Sequence, residues 1–189
     1  MLDYNQITPQ KYIVVDGEPC LVLDSNVLRK QQRKPVNQTK IKNLKTGKVS
    51  ERTFHQSEKV EEAEIETKNV IYIFQKKDEF WFHTVGDKSD RFFINENTVG
   101  SKNKFLKEGM EIQILLFNED IIDIVIPIKM ELKVISAPPA VRGNTAQGGT
   151  KVIELETGAE ITAPLFINEG DIVRVNTQTG EYTERVEKG

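Results

Sequence analysis

The chain has 189 residues, 38% hydrophobic and 29% charged, with 26 Lys and Arg against 29 Asp and Glu for a formal net charge of −3. That is the composition of an ordinary globular protein, which argues against disorder, and the length suits one medium domain or two to three small ones. A single cysteine, Cys20, excludes an intrachain disulfide framework and fits a reducing compartment; no apolar run nears the ~20 residues of a membrane span, and the start, Met1-Leu2-Asp3-Tyr4, lacks a signal peptide's basic and apolar regions, so a cytoplasmic location is expected.

In chain order, Tyr12-Ile13-Val14-Val15, an Asp16-Gly17 turn and Leu21-Val22-Leu23 read as a hairpin, because Asp-Gly between apolar, β-branched runs favours a two-residue turn. Cys20, beside Pro19 and Leu21, reads as a buried strand thiol and not a nucleophile. Residues 22–27 then look like the partner strand of a second hairpin. Residues 29–48 (RKQQRKPVNQTKIKNLKTGK) hold eight cations, Arg29, Lys30, Arg33, Lys34, Lys40, Lys42, Lys45 and Lys48, and no carboxylate. The remaining 18 basic residues face 29 acidic ones, a balance of −11, so the positive charge is concentrated. Lys40 and Lys42 alternate with Ile41, Lys45-Thr46-Gly47 reads as a turn into residues 48–54, and residues 30–35 hold no large apolar side chain, which makes them an exposed tip. Two readings stand open on charge alone: a polyanion-binding arm, with nucleic acid as the natural target, or a solvated basic edge that resists sheet-to-sheet aggregation. A short strand near Val60 completes an SH3-like barrel over residues 1–64.

Residues 65–128 read as an OB-type barrel. Strands are expected at Val70-Ile71-Tyr72-Ile73-Phe74, Phe80-Trp81-Phe82-His83, Arg91-Phe92-Phe93-Ile94, 112–116 and 121–126, with a helical turn between Asn97 and Leu106. Of the consecutive aromatics Phe80, Trp81 and Phe82, exposed members could stack bases, but adjacent strand residues point to opposite faces, so some must be core, and Trp81 is read as structural. Residues 129–189 form a third unit. A Pro- and Gly-rich loop over 137–149 is followed by strands at 151–155, 160–164, 171–176 and 181–186. Glu108-Gly109-Met110-Glu111-Ile112 and Glu169-Gly170-Asp171-Ile172-Val173 repeat at a separation of 61 residues, too long for a solenoid unit, and point to two related barrels. The fold class is therefore all-β: three small barrels in series.

Catalysis has little support. His55 and His83 have no spacing that pairs them with Cys20 around a metal, no phosphate-cradling glycine loop is present, and Glu58, Glu61, Glu62 and Glu64 read as a solvated face. No enzyme activity, cofactor or metal is expected.

The whole chain resembles the bacterial elongation factor P family, a KOW-type (SH3-like) domain followed by two OB domains. The resemblance rests on Lys151, Gly158, Ile161, Ala163-Pro164, Ile167 and Gly170, then Thr179-Gly180-Glu181-Tyr182 and Arg185-Val186, with Ala163 where the family usually has Val. Asp16-Gly17-Glu18-Pro19 and Thr46-Gly47 also match at the family's spacing. The resemblance implies a factor that binds the 70S ribosome between the P and E sites and speeds peptide-bond formation at consecutive prolines by positioning peptidyl-tRNA. It implies that the tip, Arg29, Lys30, Gln31, Gln32, Arg33, Lys34 and Pro35, approaches the CCA end, that Lys40 and Lys42 meet tRNA phosphates, and that Gly143, Asn144, Thr145, Tyr182 and Arg185 face ribosomal RNA and the E-site mRNA codon. Many members carry a β-lysylated tip lysine; counting residues puts Gln32 there, which cannot be lysylated, leaving Arg33 or Lys34 as a possible modification position or as a cation that stands in for it. Asn144 replaces the family's usual Asp. A monomer without membrane contacts is implied. The alternatives are a diverged paralogue or a general RNA-binding module without polyproline rescue.

Overall fold

The computed structural model describes residues 1–29, 34–139 and 149–189. By contact the chain forms two compact units, Met1–Lys68 with Gln113–Ile124, and Asn69–Ile112 with Val125–Gly189. Sixteen strands are present among the described residues, and the helical content is one four-residue α-helix with two short 3-10 turns. The all-β expectation holds.

The first unit is built on a four-stranded sheet: β2 (Tyr12–Val15), β3 (Glu18–Leu28), β4 (Val36–Asn43) and β5 (Val49–His55), in that order. The Asp16-Gly17 turn joins β2 to β3 with both residues at positive φ, 53° and 82°, the twist-matched two-residue turn that Asp-Gly favours. The two runs read separately at 21–23 and 22–27 are one eleven-residue strand, β3, with a bulge between Val22 and Asp24 that bends it without ending it. A pair not foreseen from sequence, β1 (Leu2–Asp3) with β6 (Lys59–Val60), ties the chain start to this unit. Leu2, Ile7, Ile13, Cys20, Val22, Ile41, Phe54 and Val60 form its core. A second cluster, Leu44, Ala63, Leu115, Phe117 and Ile122, packs residues of β10 (Glu111–Phe117) and β11 (Asp120–Val125) on the same unit.

The remaining strands make two five-stranded sheets. One has the order β11-β10-β7-β8-β9, with β7 Glu66–Lys76, β8 Glu79–Thr84 and β9 Asp87–Asn95; α1 (Glu96–Val99) and a 3-10 turn (Gly100–Phe105) connect β9 to β10 where the sequence placed a helical turn. The other is β14-β13-β12-β15-β16, with β12 Lys129–Ser136, β13 Thr150–Leu155, β14 Glu160–Pro164, β15 Ile172–Asn176 and β16 Glu181–Glu187. Numbered from each sheet's own first strand, both read 3-2-1-4-5, the strand order of an OB barrel.

The sequence repeat has a structural cause. Gly109 (φ 78°) donates its N–H to Tyr72 O while Tyr72 N–H donates to Met110 O; 61 residues on, Gly170 (φ 91°) donates to Val134 O while Val134 N–H donates to Asp171 O, all at 2.9 Å. Each glycine turns the chain in the left-handed region so that its strand enters pairing with the barrel's first strand, a conformation side chains disfavour. The repeated Glu-Gly marks the same corner in two barrels.

Candidate nucleic-acid interface

The hairpin that carries the basic residues is β3 with β4. Its register runs from Cys20↔Asn43 to Leu28↔Val36, and β5 covers the far side of β4 up to Val36↔His55. The arm is thus two strands paired along their length up to Leu28↔Val36. Arg29 and Lys34 are exposed at its ends; Lys30, Gln31, Gln32 and Arg33 lie outside the described residues.

Alternation along β4 sends Lys40 outward and Ile41 inward, as expected, with Lys42 half-buried. The inward positions nearer the tip hold polar side chains that sequence reading passed over. Asn37, fully buried, donates through Nδ2 to Tyr4 O at 2.7 Å and Ile7 O at 2.9 Å, while Thr39 Oγ1 donates to Arg52 O at 2.8 Å. An apolar anchor there would strand those carbonyls away from water, so the amide and hydroxyl fasten the outer part of the arm to the N-terminal turn and to β5. The only signal was phase: Asn37, Thr39 and Ile41 fall on one face.

The cations along the shaft are not equivalent. Lys40 stands in register between Asp24 on β3 and Glu51 on β5, an alternating row that damps its charge. Lys45 Nζ lies 3.6 Å from Asp120. Arg52, from β5, reaches Asp16 at 3.3 Å and covers the Phe54 ring at 5.4 Å. Between Asp24 and Glu51 the sequence has no acid, so any counter-charge to the cations of that interval comes from elsewhere in the chain, as Asp120 does for Lys45. Cys20 is buried, and burial, then Glu18 and Asp16, push its thiol pKa up against the opposing pull of Arg52, which keeps it a neutral core residue.

In the last barrel, Gly143, Asn144 and Thr145 lie outside the described residues. Lys151 Nζ donates to Pro138 O at 2.8 Å, beside that loop. Arg185 is held rather than free: its guanidinium lies over the Phe166 ring at 5.2 Å and donates to Asp171 Oδ2 at 3.4 Å. Asp171, 1% exposed, also accepts from Asn168 N at 2.9 Å and Gly189 N at 3.0 Å. Burial by itself would raise its pKa; the two backbone donors and Arg185 outweigh it, and the carboxyl ends below its ordinary value. Tyr182 is half-buried opposite Val175. Of the aromatics read as stacking candidates, Phe80 and Phe82 are core and only Trp81 reaches the surface; His83 is buried. Among the described residues, no group of three or more His, Cys, Asp or Glu is placed to hold a metal, and no helix is long and apolar enough to cross a membrane.

An SH3-like barrel carrying a long hairpin, followed in one chain by OB barrels, is an all-β class of fold that the solved eukaryotic translation initiation factor 5A from Methanococcus jannaschii shares with TM-score 0.54 at 14% identity, over 66% of this chain and 92% of that one. Within that class the match is specific. Family models for the elongation factor P KOW-like domain, OB domain and C-terminal domain match residues 3–60, 65–124 and 130–185. Elongation factor P of Moorella thermoacetica is 37% identical over 98% of this chain and 100% of its own length, and that of Synechococcus sp. 38% identical over the same shares. The chain belongs to the elongation factor P family and is a translation elongation factor.

Proposed function

We propose that this factor binds the ribosome between the P and E sites and stimulates peptide-bond formation at consecutive prolines, with domains at residues 1–64, 65–128 and 129–189. The observation that carries the reading is the arm: eight cations and no acid within 29–48, on a hairpin whose outer part is locked by Asn37 and Thr39. A rigid arm suits a factor that positions a peptidyl-tRNA, because orientation lowers a barrier only if the positioning group is itself held. The tip meets the tRNA acceptor end, Lys40 and Lys42 contribute phosphate contacts, and the third domain lies toward ribosomal RNA and the E-site codon through Gly143, Asn144, Thr145, Tyr182 and Arg185. The protein acts as a cytoplasmic monomer and not as an enzyme, since the ribosome makes the bond. Gln32 cannot be lysylated, so Arg33 or Lys34 supplies the cation at the tip.

The test is a purified translation system reading a Pro-Pro-Pro template with the unmodified chain. Rescue that disappears in an Arg29→Ala, Lys30→Ala, Arg33→Ala, Lys34→Ala variant of equal thermal stability supports the reading. Ribosome binding without rescue, with native protein also unmodified at the tip by mass spectrometry, rejects it in favour of a diverged paralogue.

A further inference from the structure

The second barrel carries seven aromatic residues on three adjacent strands, and the pleat sorts them. Tyr72, Phe80, Phe82 and Phe92 turn inward, with Tyr72 5.4 Å from Phe82 and Phe82 6.1 Å from Phe92. Strict alternation along β7 would put Phe74 inward as well, two residues after Tyr72. A bulge between Tyr72 and Phe74 shifts the register by one, so Phe74 pairs with Trp81 and comes out on the opposite face. Trp81 in turn pairs with Phe93. Phe74, Trp81 and Phe93 therefore form one outward row: Phe74 and Trp81 stack at 6.1 Å and 19°, Trp81 and Phe93 lie 5.6 Å apart, and Phe74 and Phe93 are 44% and 45% exposed. The Trp81 indole N–H donates to Glu79 at 3.1 Å, which fixes the central ring.

The register also sets what flanks the row. On one side His83 pairs with Arg91, whose Nε donates to Lys88 O; on the other are Lys76, Glu79 and Asn95. Lys77 stands exposed in the adjoining turn and Lys88 is exposed near the start of β9. The nearby carboxylates are engaged locally: Glu79 with Trp81, Asp87 with Ser89, Asp90 with Thr84; Asp78 and Glu96 are exposed at the edge.

We propose that Phe74, Trp81 and Phe93 form a stacking platform for two or three unpaired bases of single-stranded RNA, with Arg91 and Lys76 meeting the phosphates on either side. Every base offers a π-face, so a three-ring row flanked by cations takes unpaired strands with little sequence preference. The second and third strands of an OB barrel, here β8 and β9, are the face on which that fold commonly takes oligonucleotides. The platform is separate from the basic hairpin, so its failure leaves the positioning role untouched.

Trp81 is the only tryptophan, so the intrinsic emission of the full-length protein reports this row alone. Titration with decauridylate and decaadenylate at low salt is expected to give saturable quenching. Phe74→Ala and Phe93→Ala, both at exposed positions and checked for unchanged melting, are each expected to weaken the oligonucleotide by about fivefold or more. Val152→Ala, at an exposed position of the last barrel with no assigned role, is expected to leave the quenching unchanged. No saturable quenching, or quenching indifferent to both phenylalanines, overturns the proposal. So does a loss of ribosome co-sedimentation in the double variant while oligonucleotides leave Trp81 emission unaltered, which would make the row a protein-docking surface.

Discussion

Asn37 gives the sharpest test of how the basic arm is held. Asn37→Ala removes the donor from Tyr4 O and Ile7 O, the first partly and the second fully buried. A buried acceptor left without its donor costs about 1–3 kcal/mol. Two acceptors lose their donor, while Asn37 Oδ1, which has no partner itself, takes its own penalty of the same size away with it, so the net loss is about that of one acceptor, about 1–3 kcal/mol. Asn37→Asp keeps the shape but turns a carboxylate oxygen toward two carbonyls at 2.7 and 2.9 Å, so its loss at pH 7 is the larger. Burial and those carbonyls raise that carboxyl's pKa in the fold. A raised folded pKa gives stability that is present at low pH and lost as pH rises, so the Asp variant's deficit should shrink as pH falls toward 4. The chain has two compact units, so a single melting temperature mixes them. The measurement is native-state amide exchange at Ile41, Phe54 and their neighbours in β4 and β5, which reads the opening free energy of this unit. The reasoning fails if Asn37→Ala changes that free energy by less than about 0.5 kcal/mol.

Asp171 is buried with a depressed pKa, and Glu156, whose burial would raise its pKa, is depressed overall by its 2.8 Å pairing with Lys107 and its bond from Lys133 N. A depressed folded pKa gives stability that is complete above the ordinary carboxylate range and lost as pH falls through the folded value. An acid titration of Asp171→Asn should therefore show a flatter loss of stability below pH 4 than the parent. At the turn between β10 and β11, Asn118 and Glu119 both have positive φ, 50° and 69°. Glycine removes the strain at the second position but costs unfolded-state entropy, so Glu119→Gly should stabilise by about 0.5 kcal/mol in amide exchange of the same unit. Phe117→Ala, which empties part of the Leu44, Ala63, Leu115 and Ile122 cluster, should destabilise that unit by about 3–5 kcal/mol in urea unfolding. In ribosome binding measured against salt, Lys34→Ala should lower the slope by about one if that side chain meets a phosphate, and Lys40→Ala by less, because Asp24 and Glu51 already flank it.

Much of the architecture was legible because local signals and long-range pairing agree. The Asp16-Gly17 turn, the alternation of Lys40 with Ile41, and the Glu-Gly repeat each name a backbone conformation, and each occurs. The β1–β6 pair was not legible: two residues at each end leave no periodicity to read. Asn37 was missed for a different reason. A buried amide is indistinguishable in sequence from a turn or surface amide, since its role depends on carbonyls 30 and 33 residues away.

Phe74 shows how far alternation can mislead. In the run Val70 to Phe74, period two puts Tyr72 and Phe74 on one face, and only the bulge, which the sequence does not announce, separates them. Had the strand been regular, Phe74 would join Tyr72 inside, leaving Trp81 with a single aromatic neighbour, Phe93, and no row. The bulge therefore sets both the volume of the barrel core and the composition of its outer face. Deleting Ile73 should restore a regular register in which Phe74 directly follows Tyr72 and still stands opposite Trp81 on the outer face, so Trp81 emission should stay as it is. A red shift in that variant would show that the Phe74–Trp81 stacking needs the local bend of the bulge and not only the pairing register.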